Sequence, residues 1–141
     1  VQSNVGVSEH PNTLRGMHFQ TGVDAEFKLV RCTRGRVIDV AIDLRPDSES
    51  YLDWYGLELS DDGRVSLLVP PGCAHGYLTL EPWTHLEYLT SARYAPAAAT
   101  GVRYDDPEIA IQWPAEPALI SDQDRSWPLW EPGDARAHLS E

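Results

Sequence analysis

The sequence predicts an all-β protein, an antiparallel sandwich or barrel, on three observations. Pro 11 and Gly 10 punctuate the chain at intervals of about a dozen residues, the turn rhythm of all-β folds. Between them lie short runs rich in Val, Ile, Leu, Tyr and Trp. Helix start and stop patterns are scarce.

The first strand is predicted over 13–20, carrying Leu14-Arg15-Gly16-Met17-His18-Phe19-Gln20. A period of two puts Gly16, His18 and Gln20 on one face. A second strand covers 27–33 and a third 36–44. In the third, Val37, Asp39, Ala41 and Asp43 alternate with Ile38, Val40, Ile42 and Leu44. A fourth strand, 54–59, meets Asp61-Asp62-Gly63. That triplet reads as a hairpin turn, because Asp and Gly tolerate positive φ, with 65–69 as the return strand. Pro70-Pro71-Gly72 turns the chain again, and strands follow at 74–80 and 85–90. Residues 91–101 have room for a single helical turn. From Pro107 onward the chain reads as an irregular tail packed by Trp113, Trp127 and Trp130, frayed from about Gly133. One domain is expected over 1–141, with no repeat or linker.

Composition narrows the function classes. A net charge of −11 argues against nucleic-acid binding by a broad basic surface. An anionic substrate would need a local basic pocket. No apolar run approaches the ~18 residues of a membrane span, and no N-terminal signal peptide is visible. Cys32 and Cys73 fit no metal spacing and read as reduced core thiols of a cytoplasmic protein.

Three residues invite chemistry. Lys28 is the only lysine in the chain and sits inside a strand pattern. Two readings stay open: a compositional preference for Arg, or an ammonium inside a barrel with a functional duty. His18 is either a hydrogen-bonded core histidine or a catalyst, with Arg15 and Gln20 near. His75 follows Pro70-Pro71-Gly72-Cys73-Ala74, similar to the Pro-x-Gly-x-x-His half-motif of cupins. Metal-binding cupins usually present His-x-His, but the position after His18-Phe19 is Gln20. Only His18 and His75 are left as imidazole ligands, so no catalytic metal is expected. Tyr88, Tyr94 and Asp124 do not stand out from their local sequence.

Taken together, the segments resemble one family. Leu14-Arg15-Gly16-Met17-His18-Phe19-Gln20 matches its Leu-Arg-Gly-Leu-His-Phe-Gln signature. In family order follow Lys28-Leu29-Val30, Gly35-Arg36-Val37-Ile38-Asp39-Val40, Asp43-Leu44-Arg45 with Ser48, and Pro71-Gly72-Cys73-Ala74-His75-Gly76-Tyr77. Then come Tyr88 with Tyr94-Ala95-Pro96, Gly101-Val102-Arg103-Tyr104-Asp105-Asp106-Pro107, Ile111-Gln112-Trp113-Pro114, and Ser121-Asp122-Gln123-Asp124. The chain thus resembles the dTDP-4-dehydrorhamnose 3,5-epimerases from Gln2 to about Pro128.

The resemblance implies a cupin double-stranded β-helix (a jelly-roll barrel), usually a homodimer, working without metal or cofactor. The substrate implied is a dTDP-linked 4-keto-6-deoxy sugar, inverted at C3, C5 or both. His18 would remove the proton next to the ketone, with Asp124 orienting it. Lys28 would stabilise the enolate and Tyr88 would protonate the opposite face. Arg15, Gln20 and His75 would place the sugar nucleotide, Tyr94 would stack on the thymine, and Gln2 and Asn4 would sit near the nucleotide. Family members usually carry roughly one more strand pair before the segment that opens this chain, so a shortened N-terminus is expected. Gln123 stands where the family has Lys, and Ala97, Ala98 and Ala99 where an acid is common. These departures open a second reading, a related metal-free cupin acting on another ketone or cyclic substrate. The third, a non-catalytic sugar-binding cupin, leaves Lys28, His18, Tyr88 and Asp124 without a purpose.

Overall fold

Two sheets face one another, antiparallel except for one short parallel pairing at an edge, and the C-terminal third of the chain covers the back of one of them. The computed structural model describes residues 1–134 and 136. The four-stranded sheet runs β1 (Gln2–Ser8), β8 (Thr84–Thr90), β3 (Lys28–Arg34), β6 (Leu67–Val69). The larger sheet runs β10 (Leu119–Ile120), β2 (Thr13–Gln20), β7 (Cys73–Thr79), β4 (Arg36–Asp43), β5 (Trp54–Ser60), with β9 (Ala99–Gly101) also paired to β2. This is the cupin jelly roll.

Alternation explains the packing. In β4 one set of side chains, with Val37 among them, joins Val30, Cys32, Leu59, Tyr77 and Leu86 between the sheets. The other set, Val40 and Ile42, joins Met17, Phe19, Val102, Ile109 and Trp130 on the back of the larger sheet. A sheet covered on both faces has central strands buried throughout, as β7 is. Burying such side chains is worth about 1.5–3 kcal/mol each. That is enough to hold a tail with little regular structure.

Four strand-level expectations need correction. β1 was not anticipated: its polar residues Gln2 and Asn4 are the more covered set, while Val5 and Val7 are exposed, an inversion of the usual pattern. Asp61-Asp62-Gly63 does not close a hairpin. β5 pairs only with β4, and β6 pairs with β3 of the opposite sheet, so this turn carries the chain between sheets. Gly16, His18 and Gln20 do not keep simple alternation, because the register of β2 against β7 shifts between Arg15 and His18. Arg15 pairs with Tyr77 and His18 with His75. Tyr77 and His75 are two apart on one strand, so Arg15 shares the face of His18. Finally, the tail contains β10 and a short helix, α1 (Asp122–Ser126), capped by Ser121 Oγ accepting from the Asp124 N–H at 3.1 Å.

Residues 91–101 hold one turn, where the Ala98 and Ala99 N–H groups both donate to Ala95 O at 2.9 Å as β9 begins. The fraying expected beyond Gly133 falls largely on 135 and 137–141, outside the described residues. Among the described residues no helix is long and apolar enough to cross a membrane.

Candidate active site

At one end of the space between the sheets lies a cavity of about 290 Å³. Its walls follow from strand register. On the smaller sheet, Gln2, Thr90 and Lys28 form one cross-strand row, and Asn4 and Tyr88 stand in the next. His18 and Gln20 face them from β2, and Tyr94, Ala99, Gln123 and Trp127 complete the mouth and wall.

His18 is the best-defined group. Its Nε2 lies 2.5 Å from Asp124 Oδ1. Asp124 is buried, although it comes from a surface helix, because α1 is pinned against β2: the Gly16 N–H donates to Asp124 Oδ2 at 3.2 Å. Burial pushes the Asp124 carboxyl up, but His18, Gly16 and Trp127 outweigh it and hold the group below its ordinary value. An ionised carboxylate only accepts, so Nε2 carries the proton and the lone pair is left on Nδ1. Such an imidazole can take up a proton and have the resulting charge stabilised.

Lys28 is buried, and its Nζ contacts His18 O at 3.5 Å and Glu26 Oε1 at 3.6 Å. Burial lowers its pKa, while Glu26 pulls the other way. Tyr88 is raised above the ordinary phenol value, chiefly by burial. The cavity therefore holds an imidazole, a lysine amine and a protonated phenol, the set needed to move protons beside a developing oxyanion.

The other predicted residues divide. Gln2, Asn4, Gln20 and Tyr94 line the cavity, but both glutamines also brace the loop that bears Tyr94. Gln2 Oε1 accepts the Tyr94 N–H at 3.0 Å, and Gln20 Oε1 accepts the Ala95 N–H at 2.7 Å. Arg15 and His75 stand outside the lining. Arg15 is exposed and donates to Val7 O at 3.1 Å. His75 is buried, with Nε2 2.7 Å from Asp39 Oδ1. Among the described residues no three His, Cys, Asp or Glu side chains converge to hold a metal ion.

Among the lining residues that the sequence did not single out as candidates, two contact the proposed catalytic groups through polar atoms. Trp127, expected to pack the tail, donates its indole N–H to Asp124 Oδ1 at 3.0 Å. Its ring stands edge-on to His18 at 6.1 Å. Glu26 lies just before β3, and two places before Lys28 was the signal available for it.

The model of the dTDP-4-dehydrorhamnose 3,5-epimerase family matches residues 1–132. The chain belongs to that family. It is 47% identical over 109 residues to the dTDP-4-dehydrorhamnose 3,5-epimerase of Escherichia coli K12, covering 77% of this chain and 59% of that one. The chain thus spans under two thirds of that relative's length. Among solved structures it is similar to the Bacillus anthracis dTDP-4-dehydrorhamnose 3,5-epimerase with TDP and PPi bound: 42% identity, TM-score 0.90, 92% of this chain and 74% of that one. It is also similar to a 4-keto-6-deoxy sugar epimerase from the novobiocin biosynthetic gene cluster of Streptomyces spheroides: 38% identity, TM-score 0.87, 92% of this chain and 64% of that one.

Proposed function

We propose that this epimerase-family chain inverts a carbon next to the ketone of a dTDP-linked 4-keto-6-deoxy sugar. The observation that carries the reading is the His18–Asp124 dyad opening onto the same cavity as Lys28 and Tyr88. His18 takes the proton from the carbon beside the ketone, and the electron pair moves onto the ketone oxygen. The Lys28 ammonium faces that oxygen and stabilises the enolate, far more effectively in a shielded pocket than in water. Tyr88 then delivers its proton to the opposite face of the same carbon, so the configuration inverts. The tyrosinate regains a proton and the imidazolium releases one, balancing the cycle. Asp124 fixes the tautomer of His18 throughout.

Tyr94, exposed at the mouth, stacks on the thymine, while Gln2, Asn4 and Gln20 shape the nucleotide end. Arg15 and His75 act from outside the lining, on the phosphates and through the neighbouring strands. No cofactor enters this reading. A homodimer fits the outer face of the smaller sheet, where Leu89, Leu29 and Leu68 lie side by side and exposed. A cytoplasmic setting fits the two buried, unbridged thiols of Cys32 and Cys73.

The test is solvent deuterium incorporation into dTDP-4-keto-6-deoxyglucose, followed by NMR with and without protein. Label at C3 or C5 supports the reading and names the carbon. No label from folded protein refutes it.

A further inference from the structure

Glu26 has no part in the proton transfers just described, yet it is built into the cavity. Its side chain is 9% exposed, beside a Lys28 side chain that is 10% exposed. One carboxylate oxygen lies 3.6 Å from Lys28 Nζ, and the other accepts from Gln20 Nε2 at 3.3 Å. Among the described residues it is the one carboxylate within 4.0 Å of the ammonium. The remaining contact of Nζ is a neutral carbonyl, His18 O.

An ammonium in such a pocket faces two opposed demands. It must keep its proton to act on an oxyanion, but loss of water favours the neutral amine. A carboxylate in contact answers the first demand. A carboxylate closed tightly onto the ammonium would defeat its use, since the charge would already be neutralised. The second oxygen of Glu26 is shared with Gln20 Nε2, which also lies within hydrogen-bond reach of Asp24 O at 2.9 Å and Arg93 O at 3.2 Å.

We propose that Glu26 is a positioning residue for Lys28, keeping the ammonium charged and aimed into the cavity. That the ammonium serves a ketone oxygen rests on the epimerase reading. That Glu26 keeps it charged does not. The other titratable groups around the pair are His18 on β2, Asp39 on β4, His75 on β7 and Tyr88 on β8. Asp39 also favours the charged lysine, but its Oδ1 is engaged by His75 Nε2 at 2.7 Å. Burial opposes ionisation of both members of the pair, and each favours the charge of the other.

The chain contains a single lysine, so lysine labelled with 13C at Cε gives one lysine resonance that reports Nζ protonation without substrate. In Glu26→Gln the titration midpoint falls by about one pH unit or more, a tenfold shift. Glu26→Asp, which withdraws the carboxylate by one carbon, gives a smaller fall. If Glu26→Gln does not fold, the fall in Glu26→Asp carries the test. A midpoint that stays within 0.3 units of wild type, roughly the resolution of a one-unit effect, overturns the proposal, as does a pair of midpoints both above the accessible range. In the exchange assay Glu26→Gln loses kcat at high pH more than at neutral pH, with KM little changed; a purely structural residue would lower both alike. Failure of the titration removes the role of Glu26 and leaves the epimerase reading intact. Failure of wild-type exchange does the reverse.

Discussion

Trp127 donates its indole N–H to Asp124 Oδ1, the same carboxylate oxygen that meets the imidazole of His18. One oxygen thus serves two donors, and the indole helps hold the carboxylate, ionised and in place, behind the base. Trp127→Phe keeps an aromatic ring beside His18 and removes the donor. A hydrogen bond to a charged group is worth about 1.5–3 kcal/mol, so kcat for deuterium exchange should fall by about 10- to 10²-fold, with a smaller change in KM. Exchange at the wild-type rate would show that Asp124 holds His18 unaided.

His18→Asn and Tyr88→Phe should separate the two faces of the reaction. His18→Asn removes the base and lowers exchange by at least about 10²-fold. Its thermal midpoint should stay near wild type, because the His18 side chain is 42% exposed. Tyr88→Phe leaves the base in place, so label still enters the carbon next to the ketone while inverted product falls. Parallel loss of both signals in Tyr88→Phe would argue against a donor on the opposite face.

Gln20 joins β2 to the loop bearing Tyr94 through two hydrogen bonds, its Oε1 accepting from the Ala95 N–H and its Nε2 donating to Arg93 O. Gln20→Ala should loosen that loop without touching the base. Titration calorimetry with dTDP should show affinity weakened roughly tenfold, while kcat at saturation changes less. Unaltered affinity would mean that Tyr94 is held by Gln2 alone or contributes nothing to binding.

Asp43, at the end of β4, accepts from the Arg45 side chain at 2.8 Å and from Ser48 Oγ and Ser50 Oγ at 2.6 Å each. Burial alone would raise its pKa, but these donors hold it far below the ordinary carboxylate value. A depressed folded pKa contributes stability above the unfolded value of 3.8, and that stability is lost as pH falls below it. Urea unfolding of Asp43→Asn should therefore show a deficit of about 1.5–3 kcal/mol at pH 7 that shrinks by pH 3. A deficit independent of pH would place the effect in packing.

The strands from 13 to 44 were legible because their periodicity reports burial directly. β1 was not, since a strand that lines a polar cavity shows its apolar side chains outward, as Val5 and Val7 do. The crossing at 61–63 was misread because a turn residue fixes local backbone and leaves the choice of partner strand open. Of the site, His18 and Lys28 were visible as misfits within strand patterns. Asp124 needed the family resemblance, because a carboxylate in a capped polar turn looks the same whether it faces water or an imidazole. Glu26 and the second role of Trp127 depend on which way a loop side chain turns, and that is decided by tertiary contacts.

The dyad joins residues 106 positions apart, and α1 holds Asp124 by its bond to Gly16, 108 positions away. During synthesis every strand of the two sheets except β10 has been made once Gly101 has left the ribosome. At that stage Lys28, Tyr88 and His18 have all been made, but the carboxylate that meets the imidazole has not. The base is therefore made early and its orienting carboxylate late, so competence arrives with the segment that emerges last among these elements.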